Sequence, residues 1–257
     1  MKTAKKFCAA RSGQLLIVAA FAIAVLIAST SIYVCELITQ RQNVEDGFSV
    51  ELVLAVKTGL RNAAVSALAN IAHGGQKTVL TENLDALADT YMRLYPQQIC
   101  QIRYTLLNDD GYEDGIKLSW NDYGGLGVSS TYIPYILKVL APTFNLTVND
   151  AINITTTLKV HGFYTIGENE TLRTVNLTCT VFNEKKPAQA KYIAIHYEDD
   201  SGVWIPVNNP SITDWGNGTY SLRFTVAVAS DFVHVSVHVI DARNIFVAAN
   251  VTCSQAG

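Results

Sequence analysis

Charge is scarce in this chain: Asp, Glu, Lys and Arg make up 16% of residues against 49% hydrophobic ones, with a formal net charge of −3. No Lys/Arg stripe occurs outside the N-terminal tail, which excludes the basic footprint of a nucleic-acid-binding surface. The motifs that mark common chemistry are also missing. No GxSxG elbow, HExxH pair, phosphate loop or glycine-rich dinucleotide turn is present, so no cofactor is expected and no catalytic centre is visible. The five cysteines (Cys8, Cys35, Cys100, Cys179 and Cys253) form no CxxC or Cys/His spacing of the kind that holds zinc.

What is present is one long apolar run. Leu15 to Val34 is a 20-residue stretch without a charge. At about 1.5 Å per residue it matches a hydrocarbon core of roughly 30 Å. Lys2, Lys5, Lys6 and Arg11 precede it and Glu36 is the first charge after it. The positive-inside rule then keeps the N-terminus in the cytoplasm and exports residues 35–257. Three fates for the run stay open: a retained single-span anchor, a cleaved secretory signal, or a processed anchor. Secretory cleavage fits less well, because the run exceeds the usual apolar stretch of about 7–15 residues and Leu26 occupies a small-residue position before Ala28. Tyr33 and Val34 before Cys35 are too bulky for a lipobox.

Arg11, Ser12, Gly13 and Gln14 sit directly before the run. This resembles the class III signal of archaeal type IV pilins and related pilus-like proteins. The resemblance implies peptidase cleavage between Gly13 and Gln14, with the apolar helix kept and bundled with its neighbours. Ser12 separates the basic residue from Gly13, and Val18 would take the fifth mature position, where many pilins carry Glu.

Asn-x-Thr sequons agree with export. Six occur, at Asn145, Asn153, Asn169, Asn176, Asn217 and Asn250, all in the second half of the chain. The same Thr-rich composition also favours strands.

Downstream of the anchor, Leu52, Val53, Val56, Leu60, Ala64, Ala67, Leu68 and Ile71 recur at helical spacing, which predicts an amphipathic helix over 48–72 ended by Gly74 and Gly75. Thr81 is the expected cap of a second helix closed by Pro96, giving an antiparallel pair. Ile99 to Leu107 and Ile116 to Trp120 read as strands flanking the acidic stretch Asn108 to Gly115. That stretch has Tyr112 where a calcium loop needs an oxygen ligand, so it reads as a solvated hairpin turn.

Seven strands are predicted beyond Asn145: 152–160, 172–182, 191–197, 203–207, 219–228, 233–240 and 245–253. Their spacing indicates an antiparallel sandwich. Val175, Leu177, Cys179 and Val181 share one face and Val247, Ala249, Val251 and Cys253 another, with Asn176 and Asn250 turned the opposite way. Cys179 and Cys253 are therefore inward, either as a disulfide worth roughly 3–4 kcal/mol or as two buried thiols. His234 and His238 lie about 13 Å apart on one strand face, too far to share a metal, and with His196 they are expected to face solvent. No metal site is expected.

Asp214 to Leu222, with its glycine-rich turn and inward Tyr220, resembles bacterial and archaeal Ig-like domains, as does the tight turn at Asp241 to Asn244. The resemblance implies an Ig-like β-sandwich over 145–253 and no catalytic residues. The expected fold class is α+β. Its divisions are a cytoplasmic tail (1–14), a transmembrane helix (15–34), an extracytoplasmic helical region (35–97), a small β connecting region (98–144) and the sandwich (145–257). The expected role is non-enzymatic display for adhesion or envelope architecture. Its expected partners are the lipid bilayer and other envelope or pilus-like proteins, without nucleic acid. A pilin-like filament subunit is the alternative. An exported enzyme or solute-binding protein is a third class, which would require a deep pocket with converging polar groups.

Overall fold

The computed structural model describes residues 23, 27–35, 50–95, 99–120, 122–140, 145–167 and 172–256. Most of the expected anchor, Gly13 and Gln14, Cys8, Pro96 and Asn169 lie outside these residues. The chain divides into two compact units, Met1–Leu54 and Ala55–Gly257. In the first, residues 27–35 are helical and exposed.

Helix α1 (Val50–Ala72) is long and apolar enough, by length and composition alone, to cross a membrane. It is nevertheless amphipathic. Val56, Leu60, Ala64, Ala67, Leu68 and Ile71 form one buried face at three- and four-residue spacing. Lys57 donates to Asp150 at 2.5 Å and Arg61 lies 3.5 Å from Glu184, so this part of α1 rests against the β-structure. Gly74 has φ of 91° and Gly75 donates its N–H to Asn70 O, the left-handed stop expected there.

Helix α2 (Thr78–Leu94) has Lys77 at its N-cap, so Thr81 falls inside the first turn rather than capping it. The helices run antiparallel. Asn83 Nδ2 reaches Ala63 O at 3.5 Å, and a Cβ on Gly59 would lie 3.1 Å from Leu87 Cδ1, so glycine permits the close approach.

Strands β1 (Ile99–Tyr104) and β2 (Ile116–Ser119) do not form the expected hairpin. Each pairs instead with β3 (Leu126–Leu140), β1 at 135–140 and β2 at 128–131. The acidic stretch between them is a turn with Asp110, Gly111, Asp114 and Gly115 all at positive φ. Strand β3 then pairs with β4 (Asn145–Ile166) from Leu126↔Lys159 to Leu140↔Asn145. The sheet therefore continues across the expected domain boundary at 144/145.

The remaining strands are β5 (Leu172–Asn183), β6 (Lys186–Pro187), β7 (Ala190–Glu198), β8 (Trp204–Pro206), β9 (Ser211–Asp214), β10 (Thr219–Ala227), β11 (Val233–Asp241) and β12 (Phe246–Gln255). They form two layers. One has the order β3-β4-β5-β10-β9 and the other β8-β7-β11-β12, joined where β12 runs parallel to β4 at Ser254↔Phe163 and Gln255↔Tyr164. Alternate side chains from both layers meet in one core: Val175, Leu177, Tyr220, Leu222 and Phe224 from the first, Val233, Val235, Val237, Val247 and Ala249 from the second. The fold is α+β, a β-sandwich with helices.

Candidate functional site

The outer face of the second layer carries the most unusual chemistry. Period-two alternation sends His234, Ser236 and His238 of β11 and Phe246, Ala248, Asn250 and Thr252 of β12 away from the core. Register places His196 of β7 opposite Ser236, and Ser236 opposite Asn250. This face is not the solvated one expected for the histidines. Ser236 and Ala248 are buried, and His196, His234 and His238 are half-buried.

A covering segment explains the difference. Trp120 and residues 122–125, between β2 and β3, are clamped onto the sandwich at Gly125. Gly125 N–H donates to Asn250 O at 2.8 Å, and Gly125 O accepts from Val160 N–H at 2.7 Å. Gly125 has φ of 71°, and a Cβ there would sit 2.1 Å from Val160 O, so only glycine fits. The clamp brings Tyr123 to 4.8 Å from the His234 ring and Trp120 edge-on to Phe246 at 5.0 Å. Trp120 Nε1 donates to Ser129 Oγ, which donates to Phe246 O at 2.6 Å.

Beside Trp120 on the same face lies a partly open cavity of about 360 Å³. Trp120, Trp204, His196, His238 and Phe246 wall it, and Ser236, Ala248 and Asn250 complete the lining. The His196 and His238 rings are 4.6 Å apart, and His238 meets Phe246 edge-on at 5.3 Å. His196 Nδ1 is buried and has no hydrogen-bond partner among the described residues.

Ser236 Oγ and His238 Nε2 are 3.0 Å apart, the spacing of a Ser–His pair. The carboxylate that would complete a triad is not beside His238 among the described residues. The ring beside His238 is another imidazole, and burial first and His196 second hold the His238 pKa below its ordinary value. A carboxylate in that position would raise the basicity of the ring, so this pair is a poor general base. No group of three or more His, Cys, Asp or Glu side chains that would hold a metal occurs among the described residues.

A second polar cluster ties the layers together. Asp241 is fully buried at the start of the β11–β12 turn. Its Oδ1 accepts from the Arg243 and Ile245 backbone N–H groups, and its Oδ2 accepts from Arg243 Nε and Thr156 Oγ1. Arg243 Nη1 continues to Glu184 Oε1 at 2.6 Å. The tight turn is legible in the sequence and its Asp-x-Arg spacing is the signal for Arg243, whereas Thr156 and Glu184 come from distant parts of the chain.

The sequon asparagines fall in two classes. Asn145, Asn153 and Asn217 are exposed, whereas Asn176 and Asn250 are half-buried and line cavities. Cys179 and Cys253 both carry free thiols in the core. Burial pushes each thiol up to about 12, with Cys253 adding to the effect at Cys179. Comparison with known proteins gives no match to a family model, a curated protein or a solved structure.

Proposed function

We propose that the chain is a non-enzymatic, single-span surface protein that displays an Ig-like sandwich outside the cell for adhesion or envelope architecture. The observation that carries this reading is the placement of Asn145, Asn153 and Asn217. All three sequon asparagines are exposed on the β-structure behind an uncharged 20-residue run with a basic cytoplasmic flank.

The strand order supports an Ig-like domain. The layer β4-β5-β10-β9 corresponds to the ABED sheet and β8-β7-β11-β12 to a C′CFG sheet. Tyr220 is buried at the start of β10, and its hydroxyl accepts from Ala190 N–H at 2.8 Å. An added layer, helices α1 and α2 with β1 to β3, distinguishes the chain from an isolated sandwich. With the N-terminal signal, these features favour an archaeal envelope.

A pilin-like filament subunit is the second reading. It is favoured by the exposed helical residues 27–35, which offer an apolar surface including Ile27, Ile32, Tyr33 and Val34. The deciding experiment is alkaline extraction of native membranes followed by mass determination of the mature N-terminus. Residues 15–34 should hold the chain in the extracted membrane, with Met1 or Lys2 first. A start at Gln14 shifts the role to a pilus-like subunit, and a soluble chain starting near Ser29 overturns the anchor.

A further inference from the structure

The cavity on the outer face of β7, β11 and β12 has aromatic walls and, among the described residues, no Asp, Glu, Lys or Arg in its lining. Its volume of about 360 Å³ falls in the usual range for small-ligand sites, roughly 300–1,000 Å³. Such a lining suits a neutral ring with one apolar face. The polar residues in the lining besides the histidines are Ser236 and Asn250.

Asn250 is also the first residue of a sequon completed by Thr252. Its side chain makes no hydrogen bond among the described residues and lies on the cavity wall. We propose that the cavity seats the first sugar of an N-linked glycan carried by Asn250. In the modification, Asn250 Nδ2 bonds to C1 of a sugar delivered by a lipid-linked phosphate or pyrophosphate donor. The C1–O bond to phosphate breaks and the electron pair leaves with the phosphate, while an amide proton passes to solvent. Modification precedes folding, and folding then seats the sugar in the partly open cavity. Its apolar ring face packs on the indole of Trp204, which is 37% exposed at the cavity edge, and its hydroxyls face Ser236 and the wall formed by His196 and His238.

This inference rests on the exported topology, and the experiment separates the two. The full-length chain is purified from its native membrane and glycopeptides are mapped by mass spectrometry. Thermal midpoints are then compared for wild type, Asn250→Gln, Trp204→Ala and the double variant, each also made in a host without N-glycosylation. Asn250 is expected to carry the glycan. In the native host N250Q is expected to lower the midpoint by about 3 °C, against under about 1 °C for the unglycosylated protein. In the W204A background the shift from N250Q should vanish. A bare Asn250 beside occupied Asn145, Asn153 or Asn217 overturns the seat and leaves export standing. No occupied sequon removes both the seat and the sequon support for export. An occupied Asn250 with equal N250Q shifts in the two hosts overturns the seat.

Discussion

On the outer face of β5 and β10, Thr178, Arg223 and Thr225 are exposed, with Thr174, Asn176 and Ser221 half-buried beside them. On the outer face of β11 and β12, Ser236 and Ala248 are buried and His234, His238, Phe246 and Asn250 are half-buried. Both faces alternate with core positions by the same period of two. What separates them is a piece from elsewhere in the chain, Trp120 with residues 122–125, set against one face and held at Gly125 by Asn250 O and Val160 N–H. Alternation tells which side chains leave the core. It does not tell whether the space they enter is water.

The largest expected effect comes from cutting the link between the layers. Asp241→Ala leaves Arg243 without its buried carboxylate and two backbone N–H groups without an acceptor. It should cost about 4 kcal/mol, read from urea unfolding of the detergent-solubilised chain. A loss below about 1 kcal/mol would mean that the turn carries no such load.

Next comes the covered face itself. Phe246→Ala removes the ring that Trp120, His238 and His73 all approach, and it should cost about 3 kcal/mol. An effect as small as that of a surface threonine would show that the cover adds nothing.

The covered face should also respond to acid. His238 titrates below its ordinary value because burial and then His196 disfavour its cation. The unfolded chain therefore binds this proton more readily. The His238 contribution is fully present above the ordinary histidine value of about 6.5, and it is lost as pH falls through that value toward the lower folded one. The urea midpoint should drop between pH 7.5 and pH 5, and His238→Gln should flatten the drop. An unchanged slope in H238Q would assign the acid sensitivity elsewhere.

The smallest effect belongs to the open face. Thr225→Ala removes one exposed hydroxyl near Thr174 Oγ1 and should change stability by no more than about 0.5 kcal/mol. A larger loss would mean that something also covers this side.

Legibility in the sequence followed the reach of each signal. All seven expected sandwich strands are present, most legibly in β5, β10, β11 and β12, where alternating apolar positions report burial directly. Strand β3 is not legible in the sequence because Pro134 lowers strand propensity and Ser129, Ser130 and Thr131 break the apolar alternation. These three are buried polar residues. Ser129 and Ser130 make up for it with bonds to Phe246 O and Ile154 O, partners 117 and 24 residues away that no local pattern encodes. Strands β1 and β2 were recognised but paired wrongly, since a short turn between two strands does not specify a third as their common partner. The aromatic cavity was invisible for the same reason: Trp120 and Trp204 lie far apart in sequence and outside the strand that carries His238.

The most direct test of surface display uses the open face. Thr225→Cys, placed in a chain also carrying Cys8→Ser and Cys35→Ser, puts one accessible thiol on the sandwich while the native Cys100, Cys179 and Cys253 stay buried. A membrane-impermeant maleimide applied to intact cells should label this variant and leave the background chain unlabelled. Labelling only after the membrane is opened would place the sandwich inside the cell and contradict its role as an exported surface domain.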